Sequence, residues 1–394
     1  MTGVITNMEE TVEYNKPIYF DASATEPVDK DVADAIYNCM LNNYGNPSSK
    51  YRIGHESKEI ITDTQASIRK YIRAKDEDKI IFTSSGSEAN TLALEGWQKA
   101  NKHAMIFTDK IEHSSIINQP DALTYIDVDK DGRVDLKQLD TLLTSTNYAK
   151  CLVSIAAANN EIGTVQNITD ISRIVHAHKG LLHVDWTQAF KFLRPNVSLT
   201  QIDMMTASFH KIGCPKGLGF LYVRDGIDLK PIIYGGQQQY GIRGGTEPVA
   251  EIAGAKVAVD NLMVSEKNKI ENISIMGIRN HIAERLQNDI TDAQINGDMC
   301  LRLPSNLNIS FKGIDAESLI LMLDSEGICV SAGSACNSAS RDASHVLKAI
   351  GMSDEYLYGT IRITVGKWNT MEEADALIEA IERNVQKLRD LAKE

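Results

Sequence analysis

The chain has 394 residues, 43% hydrophobic and 24% charged, with a formal net charge of −12 and a pI near 5.3. Such a length exceeds one ordinary core and predicts two or more domains, while the acidic balance argues against a direct nucleic-acid or anionic-lipid surface. Six cysteines without a C-x-x-C pair match neither a zinc site nor a small disulfide framework, so a reducing, cytoplasmic setting is expected.

The first ten residues carry Glu9 and Glu10 and have no basic or apolar leader region, so no signal peptide is expected. No apolar run reaches the length of a membrane span, and no membrane partner is expected. From about Lys79 to Val223 short apolar segments alternate with helical patterns. Ile80–Thr83, Ala104–Thr108, Cys151–Ala156, Leu181–Val184, Met204–Ala207 and Gly219–Val223 read as strands, and Ser87–Ala100 as a helix. This alternation predicts an α/β fold with a mostly parallel sheet, helices on both faces and ligands at the carboxyl ends of the strands. After Thr246-Glu247-Pro248 a long helical stretch runs toward Asp289, with a break expected near Glu271-Asn272. The remainder reads as a smaller α+β part: strand Asn306–Phe311, helix Ala316–Glu326, helix Ala343–Ile350, strand Thr360–Val365 and a closing helix Glu372–Ala392.

Between the two helices of that part lies Ser331-Ala332-Gly333-Ser334-Ala335-Cys336-Asn337-Ser338-Ala339-Ser340. Its small residues offer almost no apolar area to bury, so it reads as a mobile loop presenting a thiol, and thiols so held are the reactive ones. Upstream, Ser84-Ser85-Gly86-Ser87-Glu88-Ala89-Asn90 follows a strand and opens a helix. Small residues there let backbone N–H groups close on an anion, although an ordinary serine N-cap is the preferred explanation when the stretch is read alone. Asp185, after an apolar strand, is placed either to meet a buried cationic ring nitrogen or to cap a helix before Gln188. Lys211 follows Ser208-Phe209-His210 and precedes a glycine-rich turn in which a lysine could form a Schiff base; alone, a solvated surface lysine is the default.

Taken in order, the anion cup, Glu112-His113, Asn159-Asn160-Glu161-Ile162-Gly163, Asp185, Lys211, Gly241-Ile242-Arg243-Gly244-Gly245-Thr246, the Cys336 loop and Arg362 form a set. That set resembles the cysteine desulfurases of the NifS/IscS type, class V aminotransferase family members among the aspartate-aminotransferase-like (fold type I) pyridoxal-phosphate enzymes. The resemblance runs from Ile18-Tyr19-Phe20-Asp21 to the last helix. It implies a large cofactor-binding domain over 15–257, and a small domain, formed by 1–14 and 258–394, that carries the cysteine loop. It implies that Lys211 holds pyridoxal phosphate covalently, Asp185 pairs with the ring nitrogen and His113 stacks on the ring. Asn160 and Gln188 would bond the phenolic oxygen side. Gly86, Ser87, Ser208 and His210 would bind the phosphate, with Thr246 reaching in from the second subunit of a homodimer. Arg362, with Asn160, would hold the substrate carboxylate, and Cys336 would take sulfur from L-cysteine as a persulfide and pass it to an acceptor protein, for iron–sulfur cluster assembly or thiolation chemistry.

Three positions depart from the family pattern: Phe209 where glycine is usual, Gln238-Gln239-Tyr240 where an acidic residue is usual, and Asn337 where threonine is common. A selenocysteine lyase or related lyase is the alternative activity; a sulfur-delivery subunit without catalysis would lack Lys211 or Asp185. Asp127-Val128-Asp129-Lys130-Asp131-Gly132 imitates a calcium loop, but its twelfth position is Gln138, which cannot supply the bidentate carboxylate. No metal site is expected; His176 and His178, two apart, would diverge on a helix. Cys329 reads as a small apolar residue at the end of a strand, with a resolving-thiol role the weaker alternative.

Overall fold

In the computed structural model the described residues are 17–120, 122–146, 150–332 and 343–393, the side chains of residues 265–267 excepted. The runs Cys151–Ala156 (β5), Leu181–Asp185 (β6), Met204–Ser208 (β7) and Gly219–Val223 (β8) are buried almost end to end, as strands covered on both faces must be. They join Lys79–Thr83 (β2), Met105–Asp109 (β3) and Leu123–Ile126 (β4) in a seven-stranded sheet of order β2-β8-β7-β6-β5-β3-β4. Neighbours from β7 to β4 are parallel, while β8 runs antiparallel to both β2 and β7. The carboxyl ends of β2, β3, β5, β6 and β7 therefore share one edge.

Ile18–Tyr19 (β1) opens the described chain and is followed by the helices Lys30–Asn42 (α1) and Arg52–Ile72 (α2). Gly86–Ala100 (α3), Ser114–Ile117 (α4), Leu136–Ser145 (α5) and Ile168–Ala177 (α6) link the sheet strands. Val249–Leu262 (α7) packs on α1 and α2. Ser265–Asp289 (α8) leads into a four-stranded antiparallel sheet of order β12-β13-β10-β9, made of Ala293–Ile295 (β9), Asn306–Phe311 (β10), Ser331–Ala332 (β12) and Thr360–Thr364 (β13). Ala316–Ser325 (α9) and Met371–Leu391 (α12) pack with α8 over this sheet, and His345–Ala349 (α10) and Asp354–Leu357 (α11) precede β13. Ile328–Cys329 (β11) pairs in parallel with β1, and Phe20 lies in the same apolar cluster as β10 and β13. The start of the described chain thus packs with the second sheet.

Two expectations are corrected, the first being the start of the segment read as a loop: Ser331-Ala332 form β12, because their backbone pairs with Arg362 and Ile361 of β13, and Ser331 is buried. Second, the long helix breaks at Met263-Val264, not near Glu271-Asn272. Val264 has φ −79°, ψ 82°, and Asn268 Nδ2 donates to the Leu262 carbonyl at 2.8 Å, satisfying an acceptor that the end of α7 leaves open. Glu271 sits within α8, its carboxylate 3.4 Å from Lys191 Nζ. No helix among the described residues is long and apolar enough to cross a membrane.

Candidate active site

A cavity of about 430 Å³ opens where the carboxyl ends of β2, β5, β6 and β7 meet β13 of the second sheet. At one end, Ser85 caps α3 by accepting from Glu88 N at 3.2 Å, which turns the first N–H groups of the helix toward the cavity. Gly219 lets β8 come against this turn: a β-carbon there would lie 2.6 Å from the Ser85 carbonyl carbon. Gly86, Ser87, Thr187, Ser208 and His210 complete that end. Thr187 Oγ1 is buried without a hydrogen-bond partner. Burial and the neighbouring Lys211 and Lys216 push the His210 imidazole down to about 4, so it is neutral near pH 7.

Asp185 ends β6. Its Oδ1 accepts from Thr187 N at 2.9 Å and its Oδ2 from Asn90 Nδ2 at 2.8 Å. Two residues back on the same face, His183 is buried between the hydroxyls of Ser154 (2.9 Å) and Thr206 (3.0 Å). Burial lowers its pKa to about 4. Asn90 Nδ2 also reaches Ser115 Oγ at 2.8 Å, and that hydroxyl lies 2.9 Å from His113 Nδ1. Behind His113, Asp109 and Glu112 are wholly buried together; burial raises the Asp109 carboxyl to about 7 and Glu112 well above its usual range.

Lys211 follows β7 in a short 3-10 turn, and its Nζ donates to the carbonyls of Ser23 and Ala24, the latter at 2.6 Å. Gln188 Nε2 donates to the same Ser23 carbonyl at 3.1 Å. Across the cavity, Arg362 on β13 is 3% exposed. Its Nη2 pairs with Asp21 at 2.8 Å and its Nη1 donates to the Asn160 carbonyl at 3.1 Å; its Nε is buried without a hydrogen-bond partner. Desolvation raises the Asp21 carboxyl, with Arg362 opposing. Ser344 Oγ donates to Glu161 at 2.6 Å, and His345 Nε2 donates to the Glu112 carbonyl at 3.0 Å. These two bonds seat the start of α10 on the cavity wall.

Gly86, Ser87, His113, Asn160, Asp185, Gln188, Ser208, His210, Lys211 and Arg362 all line this cavity. Thr246 does not; it is exposed elsewhere on the chain. Cys336 and Asn337 lie outside the described residues. The site also includes Asp21, Asn90, Ser115, Glu161, Thr187 and His345, none of which sequence reasoning assigned a role. A buried amide among the apolar positions of α3 was the one available signal for Asn90.

Two of the three departures from the family pattern, Phe209 and Gln239, have structural explanations. Phe209 points away from the cavity into the core, its ring 5.5 Å from Phe220 and 6.5 Å from Phe82. Gln239 is buried, accepting from Phe82 N at 2.9 Å and donating to Glu247 at 3.2 Å, a pair of bonds that a carboxylate could not make. Asp127 is engaged by Lys110 and by Gln138 Nε2 at 2.9 Å. His176 pairs with Asp203 and His178 with Asp140, each at 2.8 Å. Cys329 is half-buried at the end of β11, and burial raises its thiol pKa, which disfavours a reactive role.

Residues 18–377 match the model of the aminotransferase class-V family. The chain is 36% identical over 386 residues to a cysteine desulfurase IscS of Dictyoglomus turgidum, covering 96% of each chain. Among solved structures it is similar to a NifS-like protein of Rickettsia africae, at 32% identity and a TM-score of 0.87 over 94% of this chain and 99% of that one. It is also similar to SspA in complex with cysteine, at 29% identity and a TM-score of 0.75 over 89% of this chain and 99% of that one.

Proposed function

We propose, on the premise that this chain belongs to the aminotransferase class-V family, that it is a pyridoxal-phosphate-dependent L-cysteine desulfurase yielding L-alanine and a persulfide on Cys336. The observation that carries the reading is one cavity gathering Lys211, His113, Asp185 and Arg362 beside the start of α3. The residues fit the cofactor. Thr187 Oγ1 is buried and unbonded, and a β-carbon on Gly86 would come 3.3 Å from it, so small side chains keep open a cradle suited to a phosphate.

In this reading Gly86, Ser87, Ser208 and His210 hold the phosphate, Lys211 the aldehyde carbon and Asp185 the ring nitrogen. His113 lies against the ring, and Asn160 and Gln188 face its phenolic oxygen. When bound, pyridoxal phosphate withdraws electrons from the α-carbon of the substrate. Arg362 takes the substrate carboxylate; Asp21 and the Asn160 carbonyl orient its guanidinium, and its unbonded Nε leaves donor capacity. Lys211 removes and returns the proton at Cα. The Cys336 thiolate bonds to the substrate sulfur as the Cβ–S bond breaks, and the electron pair left on Cβ takes up a proton to give alanine.

A homodimer belongs to this reading. Thr246, exposed on its own chain, is free to complete a second copy's phosphate site, and Tyr37, Met40 and Leu41, at helical spacing on α1, are exposed apolar side chains together with Tyr44. A reducing cytoplasm and a sulfur-acceptor protein, serving iron–sulfur assembly or thiolation, complete it; Cys39, Cys151, Cys214, Cys300 and Cys329 are all unpaired thiols. The division into a part over 15–257 and a part over 258–394 with 1–14 is retained as part of the same proposal. The test is the absorbance of the purified protein: a bound-cofactor band present in the wild type and lost in Lys211→Ala supports the reading, and a protein that takes up no pyridoxal phosphate overturns it.

A further inference from the structure

Asn90 and Ser115 have no role in the account so far, yet they join two of its principal groups. Asn90 is 1% exposed in the second turn of α3, and its Oδ1 is buried without a hydrogen-bond partner. The amide is thus held by its two N–H bonds alone, one to Asp185 Oδ2 and one to Ser115 Oγ, each 2.8 Å. Its orientation is fixed, because the flipped amide would set an oxygen against the Asp185 carboxylate. Ser115 Oγ, having accepted from Asn90, turns its own proton toward His113 Nδ1 at 2.9 Å. The Ser115 backbone N–H meets the same nitrogen at 3.1 Å. Two donors converge on Nδ1, so Nδ1 keeps its lone pair and the neutral ring carries its proton on Nε2.

We propose that Asn90 and Ser115 are positioning residues that fix His113 as its Nε2–H tautomer and tie that choice to the hydrogen-bonded carboxylate of Asp185. Every link has a defined direction: carboxylate accepts, amide donates twice, hydroxyl accepts and then donates, imidazole accepts. His113 therefore presents a proton donor, not an acceptor, at Nε2. The inference rests on the functional reading above for its catalytic consequence, but the tautomer itself is a property of this chain.

The test uses holoenzyme carrying 15N-labelled histidine, read by NMR for the tautomer of His113, together with kinetics on L-cysteine. Ser115→Ala removes the hydroxyl donor and leaves the backbone N–H, so it disturbs the fold least; Asn90→Ala removes both amide bonds. Wild type is expected to show only the Nε2–H form, and both variants a measurable Nδ1–H fraction, because only the Ser115 backbone N–H at 3.1 Å then keeps a fixed direction toward Nδ1. In each variant kcat falls roughly tenfold while KM stays within about twofold, a loss confined to steps after binding. The double variant is expected to be no worse than Asn90→Ala, since both act through one relay, and Ser115→Thr restores wild-type behaviour. An unchanged His113 tautomer with unchanged kcat in Ser115→Ala overturns the proposal. A wild-type protein that makes no sulfide from L-cysteine defeats the functional reading instead, and the tautomer in the same samples still decides the relay.

Discussion

Glu161 shows how a single residue couples the second sheet to the cavity: its carbonyl accepts from Asn306 and Asn308 of β10 at 3.1 and 3.2 Å, and its carboxylate from Ser344 at 2.6 Å. It is 3% exposed, and burial raises its carboxyl from 4.5 to about 7 against the opposing pull of the Ser344 hydroxyl, Arg362 and His113. The folded protein therefore holds this proton more tightly than the unfolded chain. The stability so gained is fully present below about pH 4.5 and is lost as pH rises toward 7. Glu161→Gln keeps the shape without the charge, so urea unfolding across that range should show a flatter stability profile than wild type, by up to about 3 kcal/mol. Parallel profiles would contradict this. Lys211, His113, Asp185 and Arg362 were legible only together, through the ordered set of motifs that resembles the family, since Lys211 and Asp185 read alone suggest a surface lysine and a helix cap. Asn90, Ser115, Asp21 and Glu161 were not, because each has a partner at least 25 residues away in the chain, and sequence spacing carries no sign of such a meeting.

Elements place these residues by close approach. Gly219 allows β8 to lie against the turn that opens α3; a β-carbon there would sit 2.6 Å from Ser85 C and 2.9 Å from Gly86 N. Backbone, not a flexible side chain, stands in the way. Gly219→Ala should therefore destabilise the fold by about 1–3 kcal/mol and weaken pyridoxal phosphate binding, measured by denaturant unfolding and by cofactor titration. On the opposite flank, α1 turns Tyr37, Met40 and Leu41 outward. Met40→Asp with Tyr44→Asp should shift the protein toward monomer in sedimentation and lower cofactor retention together; a dimer unchanged by both would remove α1 from the interface. The buried strands were legible to within a residue at either end because continuous apolar runs bounded by polar residues have few alternatives. The helix break was misplaced because it is marked by the non-helical Val264 and by Asn268 reaching back to the Leu262 carbonyl, a contact that a periodicity argument does not contain.

At the scale of the molecule, two sheets build one site. The seven-stranded sheet brings His113, Asp185 and Lys211 to its carboxyl edge, and β13 of the four-stranded sheet brings Arg362, which Asp21 and the Asn160 carbonyl hold in place. Ser344 and His345 fasten the start of α10 to the same wall, ten residues or fewer after Cys336 in the sequence. A desulfurase needs this convergence, because the carboxylate, the α-carbon and the sulfur of one small substrate must be held at once. The measurement that tests this account most directly is intact-protein mass spectrometry after a single turnover with L-cysteine, alongside assay of alanine. The account predicts one added sulfur on Cys336 and an equal amount of alanine, with both lost in Cys336→Ala while the bound-cofactor absorbance remains. Sulfur release that persists undiminished in Cys336→Ala would contradict it, and would favour a lyase acting without the thiol.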